Sequence, residues 1–226
     1  MATKKITEQE AQRQENIEVS VSKAEQFFKE NQKTIWGALI AIAVIVILCI
    51  VYGEFIAKPK AKEAMEQMYP AEASFAQGEY ELALNGDGNV LGFNDIISEY
   101  GAKGGKDIYL YAGICELQLG NYDEAIAKLR KYSGKEPILA SRAEACIGDA
   151  YAGLENYAEA VKHFMKAASM VDNMFTAGYL LKAGVTYEQL DNAKAALECY
   201  KTIKDKYPES MEGYDIDKYI ARVEAE

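Results

Sequence analysis

Polar and apolar positions change regime twice along this chain. Residues 1–21 are polar and show no sustained period, which predicts a disordered tail. The run Ile35–Gly53, IWGALIAIAVIVILCIVYG, then holds nineteen consecutive residues without a charge. As a helix it would extend roughly 28 Å, close to the hydrocarbon thickness of a bilayer. Eleven of its residues are Leu, Ile or Val, which together favour insertion by roughly 3–7 kcal/mol. Trp36 and Tyr52 stand near its two ends, where amphipathic rings prefer to sit. A buried core helix is seldom apolar on every side over this length. A cleaved signal sequence has a shorter apolar region and a short basic start, whereas 34 residues precede this run; Val51 and Gly53 leave only a weak cleavage pattern. The pattern predicts one permanent transmembrane span, 35–53, inside a helix over residues 22–58. Ser22-Lys23-Ala24-Glu25 fits a capping box at its start, and nothing breaks the helix before Pro59.

After Pro59 the small and large residues recur at a longer period. Gly113, Gly148 and Gly184 are spaced by 35 and 36, and an alanine follows twelve residues after each: Ala125, Ala160 and Ala196. Four residues beyond those come Leu129, Phe164 and Tyr200. Asn121, Asn156 and Asn192 fall between as turn residues, and Pro137 and Pro208 close two of the units. This matches the helix–turn–helix pattern of the tetratricopeptide repeat. A Gly on the first helix and an Ala on the second let two antiparallel helices approach to about 8–10 Å, with large residues filling the gaps between units. Glu116 stands where Tyr151 and Tyr187 supply an aromatic in the other units, and Glu144 and Tyr109 replace the usual tryptophan. A weaker unit precedes these three, with Gly78-Glu79-Tyr80 and Ala83; Pro70 is expected to kink or restart its first helix. Its second helix is interrupted by Asn85-Gly86-Asp87-Gly88-Asn89 and followed by a short helix near residues 93–100. The acidic-glycine run does not make a calcium loop, because Val90 sits where such a loop needs Gly and Ile96 where it needs a bidentate Glu. A last helix near residues 215–223 would cap the stack. The expected fold is all-α: a single N-terminal transmembrane helix, then a solenoid of about four helix pairs over residues 59–226 plus a capping helix.

Charge and composition exclude several functions. The 34 residues before the span carry six Lys/Arg and six Glu, so the whole formal charge of −10 lies after it. An acidic domain of this kind argues against nucleic acid or anionic lipid as partner. Cys115, Cys146 and Cys199 are an odd number without close spacing and read as small buried hydrophobes. The only histidine, His163, reads as a solvated position on a second helix with no catalytic constellation around it. The expectation is a non-enzyme with no cofactor, no metal and no small-molecule substrate.

What remains is the concave surface lined by the first helix of each unit. Placing each glycine on the inter-helix contact sends Leu110, Ile114 and Leu117 inward from one unit. Arg142, Ala145 and Asp149 come from the next, and Leu181, Val185 and Glu188 from the last. Several of the apolar ones read equally well as core between repeats. Lys and Asn, which clamp a C-terminal carboxylate in some repeat proteins, are absent from these positions. A mixed apolar and charged groove suits an extended or helical polypeptide.

Phe27-Phe28-Lys29-Glu30-Asn31-Gln32-Lys33, followed directly by a span and then by tetratricopeptide units, resembles the YfgM-type ancillary subunits of the bacterial Sec translocon. LGFNDIISEYG and YAGICELQLGNYDEAI look like the version found in Bacteroidetes-type bacteria. The resemblance implies a single-pass inner-membrane protein with a cytoplasmic N-terminus and a periplasmic repeat domain. It implies as partners the translocon, periplasmic chaperones and exported polypeptides. Charge is silent on orientation, since Lys23, Lys29 and Lys33 before the span balance Lys58, Lys60 and Lys62 after it. Two function classes stay open: a translocon-associated binding module that assists exported or envelope proteins, or a scaffold assembling a fixed inner-membrane or cell-envelope complex.

Overall fold

The structure, a computed structural model, describes residues 29–101, 105 and 107–225. The tail over 1–21 and the capping box at Ser22 lie outside the described residues. Every regular element among the described residues is helical. The chain divides into two compact units between Lys58 and Pro59.

The first unit is dominated by α1 (Gln32–Tyr52), which carries the apolar run and buries none of its residues. Its Leu, Ile and Val side chains stand open, with Ile40 and Leu48 each 61 % exposed. A core helix would hide such side chains, so α1 is a candidate membrane span. The expected stop at Pro59 does not occur. A π-helical turn, Gly53–Ala57, follows α1, and the Lys58 N–H bonds back to the Gly53 carbonyl. The wider turn leaves room for the proline ring, which in a regular α-helix collides with the carbonyl four residues earlier. Helical residues therefore continue into α2 (Lys58–Ala76). Pro70, expected to restart that helix, also sits inside it. The carbonyl it leaves without a donor belongs to Glu66, an exposed residue where water can satisfy it.

The second unit continues with α3 (Tyr80–Asn85), α4 (Phe93–Tyr100), α5 (Ile108–Gln118), α6 (Tyr122–Leu129), α7 (Pro137–Gly153), α8 (Tyr157–Met170), α9 (Thr176–Glu188), α10 (Ala193–Lys206) and α11 (Met211–Glu224). From α5 onward each helix packs on the next, making the pairs α5/α6, α7/α8 and α9/α10. The glycines are the reason the pairs close. A Cβ on Gly113 would lie 2.6 Å from Leu129 Cγ, one on Gly148 2.6 Å from the Phe164 ring, and one on Gly184 2.3 Å from the Tyr200 ring. The glycine thus makes room for the large residue of its own pair, and the same residues also fill the gaps between units as expected: Leu129 packs with Ala143 and Ile147, Phe164 with Ala183, and Tyr200 with Ile216. Ala125, Ala160 and Ala196 are fully buried as well, one turn earlier on the same helices.

Seven residues after each glycine the chain turns through the left-handed region: Gly120 at φ 81°, Glu155 at φ 58° and Asp191 at φ 54°. The next residue's N–H then reaches back to the first helix, from Asn121 to Glu116, Asn156 to Tyr151 and Asn192 to Tyr187, each at 2.9 Å. This is the hydrogen bond that closes a helix C-terminus on a left-handed residue. The weaker first pair, α2/α3, repeats it with Gly78 at φ 78° and Glu79 bonded to Ser74 at 3.0 Å. Ala71, buried, stands there in the glycine's place. The short α3 leaves space that aromatic rings fill: Phe75 packs edge-on against Tyr80, Phe93 and Tyr111, at 5.8, 6.4 and 5.1 Å between centroids. In the loop that follows, the Asp87 carboxylate accepts from the Asn89 and Val90 amides at 2.8 and 3.0 Å. At the far end α11 begins one turn earlier than expected, where Ser210 Oγ accepts from the Gly213 N–H at 3.0 Å. It buries Ile216, Ile220 and Val223 against Tyr200 and Ile203, capping the last pair.

Two outcomes follow for stability. Gly148→Ala, which forces the Phe164 ring aside, should cost about 1–3 kcal/mol by overpacking. Adding Phe164→Leu should restore part of that loss, and equal urea midpoints for single and double variants would contradict the packing. Glu155→Gly and Asp191→Gly should each stabilise by up to about 1 kcal/mol, because relief of a left-handed residue exceeds the entropy that Gly adds to the unfolded chain.

Candidate protein-binding surface

The nine groove candidates separate into three groups. Leu110 and Ile114 are core: they pack against Ala143, Cys146, Ile147 and Ala150 of α7. Leu117 and Leu181 are half-buried on the edges of the two cores they face. The sequence placed these leucines and Ile114 in the groove, but the next pair covers those of α5 and the core shared with the capping helix takes Leu181, as the alternative core reading allowed.

Two acidic candidates are engaged. Asp149 takes the Lys182 ammonium on both carboxylate oxygens at 2.7 Å, which ties α7 to α9. Burial raises the Asp149 carboxyl above its ordinary value and outweighs Lys182, which pulls it down. Glu188 receives a two-pronged contact from Arg222 of α11, Nε at 2.9 Å and Nη2 at 2.7 Å, and also the Tyr200 hydroxyl. Arg–carboxylate pairs of this geometry fix orientation as well as charge. Glu188 is therefore a link to the capping helix, not a free groove residue. Arg142 and Val185 remain exposed. Ala145, also expected inward, is buried.

Lys182, which the sequence reading did not single out, lies among them. Its ammonium sits 5.7 Å from the centre of the Phe164 ring, within cation–π range. Arg142, Asp149 and Lys182 all act on the buried thiol of Cys146, which burial pushes up to about 11. Cys115 and Cys199 are likewise pushed up, to about 12 and about 11, chiefly by burial. These thiols stay protonated and poorly nucleophilic near neutral pH. The open part of the candidate surface is a strip on the first helices α7 and α9, made of Arg142, the Lys182–Asp149 pair and Val185.

A second polar group lies where the sequence reading expected plain solvent. Glu144 of α7 accepts from His163 Nδ1 at 2.8 Å and from Lys166 at 2.7 Å, both on α8. The His163 ring is half-buried and stacks on Tyr151 at 5.4 Å, 17° from parallel. Arg130 donates to the Tyr151 hydroxyl at 2.7 Å, joining α6 to the cluster. The solvated His163 is thus corrected to a member of a charged network beside a cleft of about 270 Å³ between α6, α7 and α8. Signals for it were present in the sequence. Once Gly148 faces Phe164 in an antiparallel pair, Glu144 must run alongside Lys166 and His163. Glu116 behaves similarly: it is buried and held by Lys128 and by Asn121 Nδ2 at 2.8 Å.

With this geometry in place, comparison with known proteins is informative. The tetratricopeptide repeat model matches residues 107–137 and 179–210, the α5/α6 and α9/α10 pairs. A search of curated proteins finds no match to the chain. The chain thus contains tetratricopeptide repeats within an all-helical repeat fold, an arrangement that suggests a protein–protein interaction module.

The Glu144 network has a pH signature. Burial raises its carboxyl, but the hydrogen bonds from Lys166 and His163 prevail and hold it below the ordinary 4.5. A carboxyl lowered on folding adds stability that is complete above 4.5 and is lost as pH falls through the lower folded value. Glu144→Gln should therefore cost about 1–3 kcal/mol at neutral pH, the worth of hydrogen bonds to a charged group. The deficit should shrink toward zero on acidification, read from urea midpoints. His163→Ala should also destabilise at neutral pH.

Proposed function

We propose that the chain is a membrane-anchored protein-binding module associated with the Sec translocon. In this reading α1 spans the inner membrane with the N-terminus cytoplasmic, and residues 59–226 form a periplasmic repeat domain. The observation that carries it is the strip of Arg142, Lys182–Asp149 and Val185 on the first helices, in a chain that also presents an unburied apolar helix long enough to cross a bilayer. An apolar contact flanked by charges of both signs holds an extended polypeptide loosely without reading one sequence. A tether confines such a surface to a shell beside the bilayer and raises its effective concentration near a translocation pore. Clients would be exported or envelope polypeptides, handled alongside periplasmic chaperones. The resemblance of Phe27–Lys33 and the span to YfgM-type subunits supports the translocon as the partner of the N-terminal part.

Two measurements test this. Protease added to spheroplasts should degrade the repeat domain and leave a membrane-protected N-terminal fragment; a protected repeat domain would reverse the orientation. In intact membranes, Arg142→Glu with Val185→Glu should keep the crosslink to the translocon but lose crosslinks to exporting chains. Unchanged client crosslinks would remove the strip from the binding surface. Absence of the translocon from mild-detergent pull-downs would replace this reading with a scaffold for another envelope complex.

A further inference from the structure

Several large apolar side chains stand exposed around the starts of α9 and α11. Met174 is 83 % exposed, Met211 87 % and Tyr214 75 %, with Phe175 at 39 %. They come from two places, the α8–α9 connection and the first turn of α11. The fold brings these together: the Tyr207 hydroxyl donates to Asp172 at 2.9 Å, and a Cβ on Gly178 of α9 would lie 3.0 Å from the Glu212 carboxylate.

Both supports are held. In the connection, Asn173 Oδ1 accepts from the Phe175 N–H at 2.7 Å and Thr176 Oγ1 from the Asn173 N–H at 3.0 Å. The start of α11 is fixed by its Ser210 cap, and Gly213 packs against the Tyr207 and Pro208 carbonyls where a Cβ would meet them at 2.3 and 2.7 Å. The apolar side chains are thus presented by ordered backbone. Two of them are methionines, whose unbranched, polarisable chains repack around differing partners.

Within the two segments themselves the charge has one sign, with exposed Lys206 just before the second and exposed Lys182 one turn beyond the first. Residues 171–178 and 207–217 contain Asp172, Glu209, Glu212, Asp215 and Asp217 and not one Lys or Arg. Lys218 and Lys204 neutralise Asp215 and Asp217 at 2.7 Å, which leaves Glu209 exposed and Glu212 half-buried against Gly178. A second copy of this surface, or an anionic lipid headgroup, would be repelled. The chain's own first 28 residues carry four Lys/Arg against five Glu and offer no complementary charge.

We propose that the joined starts of α9 and α11 form a docking surface for a cationic amphipathic segment of another polypeptide. Leucine-like anchors would seat among Met174, Phe175, Met211 and Tyr214, while flanking lysines or arginines meet Glu209 and Glu212. This rests on the reading of the chain as a protein-binding module but uses a different surface from the first-helix strip.

The test uses the full-length protein in phosphatidylcholine nanodiscs, with empty discs subtracted, and fluorescence anisotropy of labelled peptides. The probe is an amphipathic leucine–lysine peptide of about four helical turns. It should bind, and Met174→Ser with Met211→Ser and Tyr214→Ser should weaken it by about tenfold or more. Glu209→Lys with Glu212→Lys should do the same, while Glu124→Lys on α6 should change nothing. Equal binding to all variants would overturn the proposal. So would equally tight binding of a lysine–serine peptide of the same charge, or of a leucine–glutamate peptide. Arg142→Glu with Val185→Glu separates the two surfaces: loss of the leucine–lysine peptide in that variant alone would assign it to the first-helix strip and refute this site. Retention of the peptide alongside lost client crosslinks supports both surfaces independently.

Discussion

Two antiparallel helices joined by a short turn can lie flush only if the side chains between them leave room, and here one missing Cβ per pair makes it. Gly113, Gly148 and Gly184 each face a large residue of the partner helix at distances no Cβ could occupy. That contact fixes translation along the pair as well as separation, because a ring seated over one glycine cannot slide by a turn without meeting side chains. The fully buried alanines one turn earlier on the second helices extend the close approach. The left-handed residue seven positions after each glycine follows from the same register, since the turn must reverse the chain at that height. Where the sequence supplies Glu155 and Asp191 instead of Gly, the packing overrides a local cost of about 1–2 kcal/mol.

With the register set, the departures from the repeat pattern acquire a shared explanation. Glu116 and Glu144 occupy positions where an aromatic is usual; the first is buried and the second partly so. A lone buried carboxylate would be expensive, so each is matched by a cation from the second helix of its own pair, Lys128 for Glu116 and Lys166 for Glu144. Such pairs contribute little net stability compared with apolar packing, but removing one partner is costly. They therefore specify which helix pairs with which more than they strengthen the pairing. Glu188 extends the device to the end of the stack, where Arg222 locks the capping helix in place.

The helix pairs, their turns and the cap were legible because Gly, Ala and Asn recur at one period and each has a steric role. The proline positions were not. Pro59 and Pro70 read as breaks, yet a π turn before one and an exposed carbonyl before the other let the helix pass. The candidate surface was legible only in part, for a different reason. Which side of a first helix is open depends on how far the following pair rotates over it, and no residue on the helix itself records that. Leu110 and Ile114 are covered by α7, whereas Val185, at the same offset from its glycine as Ile114, stays open because only α11 follows. Lys182 was missed because its role comes from Asp149 on the preceding pair, a contact visible only once the stack is assembled.

The end of the stack is also where binding chemistry can accumulate. Inside a solenoid, each first helix is obliged to bury its apolar positions against the next pair, so interior repeats have few apolar side chains left for a partner. At α9 that demand ends: the capping helix satisfies Leu181 and leaves Val185 open, and its own first turn carries Met211 and Tyr214 outward. A stack held together by buried small–large contacts and charge pairs can carry such exposed residues without loosening, because none of them takes part in those contacts. The strongly exposed apolar side chains of the repeat domain therefore stand at its two ends, Met174, Met211 and Tyr214 at one and Met65 and Tyr69 of α2 at the other.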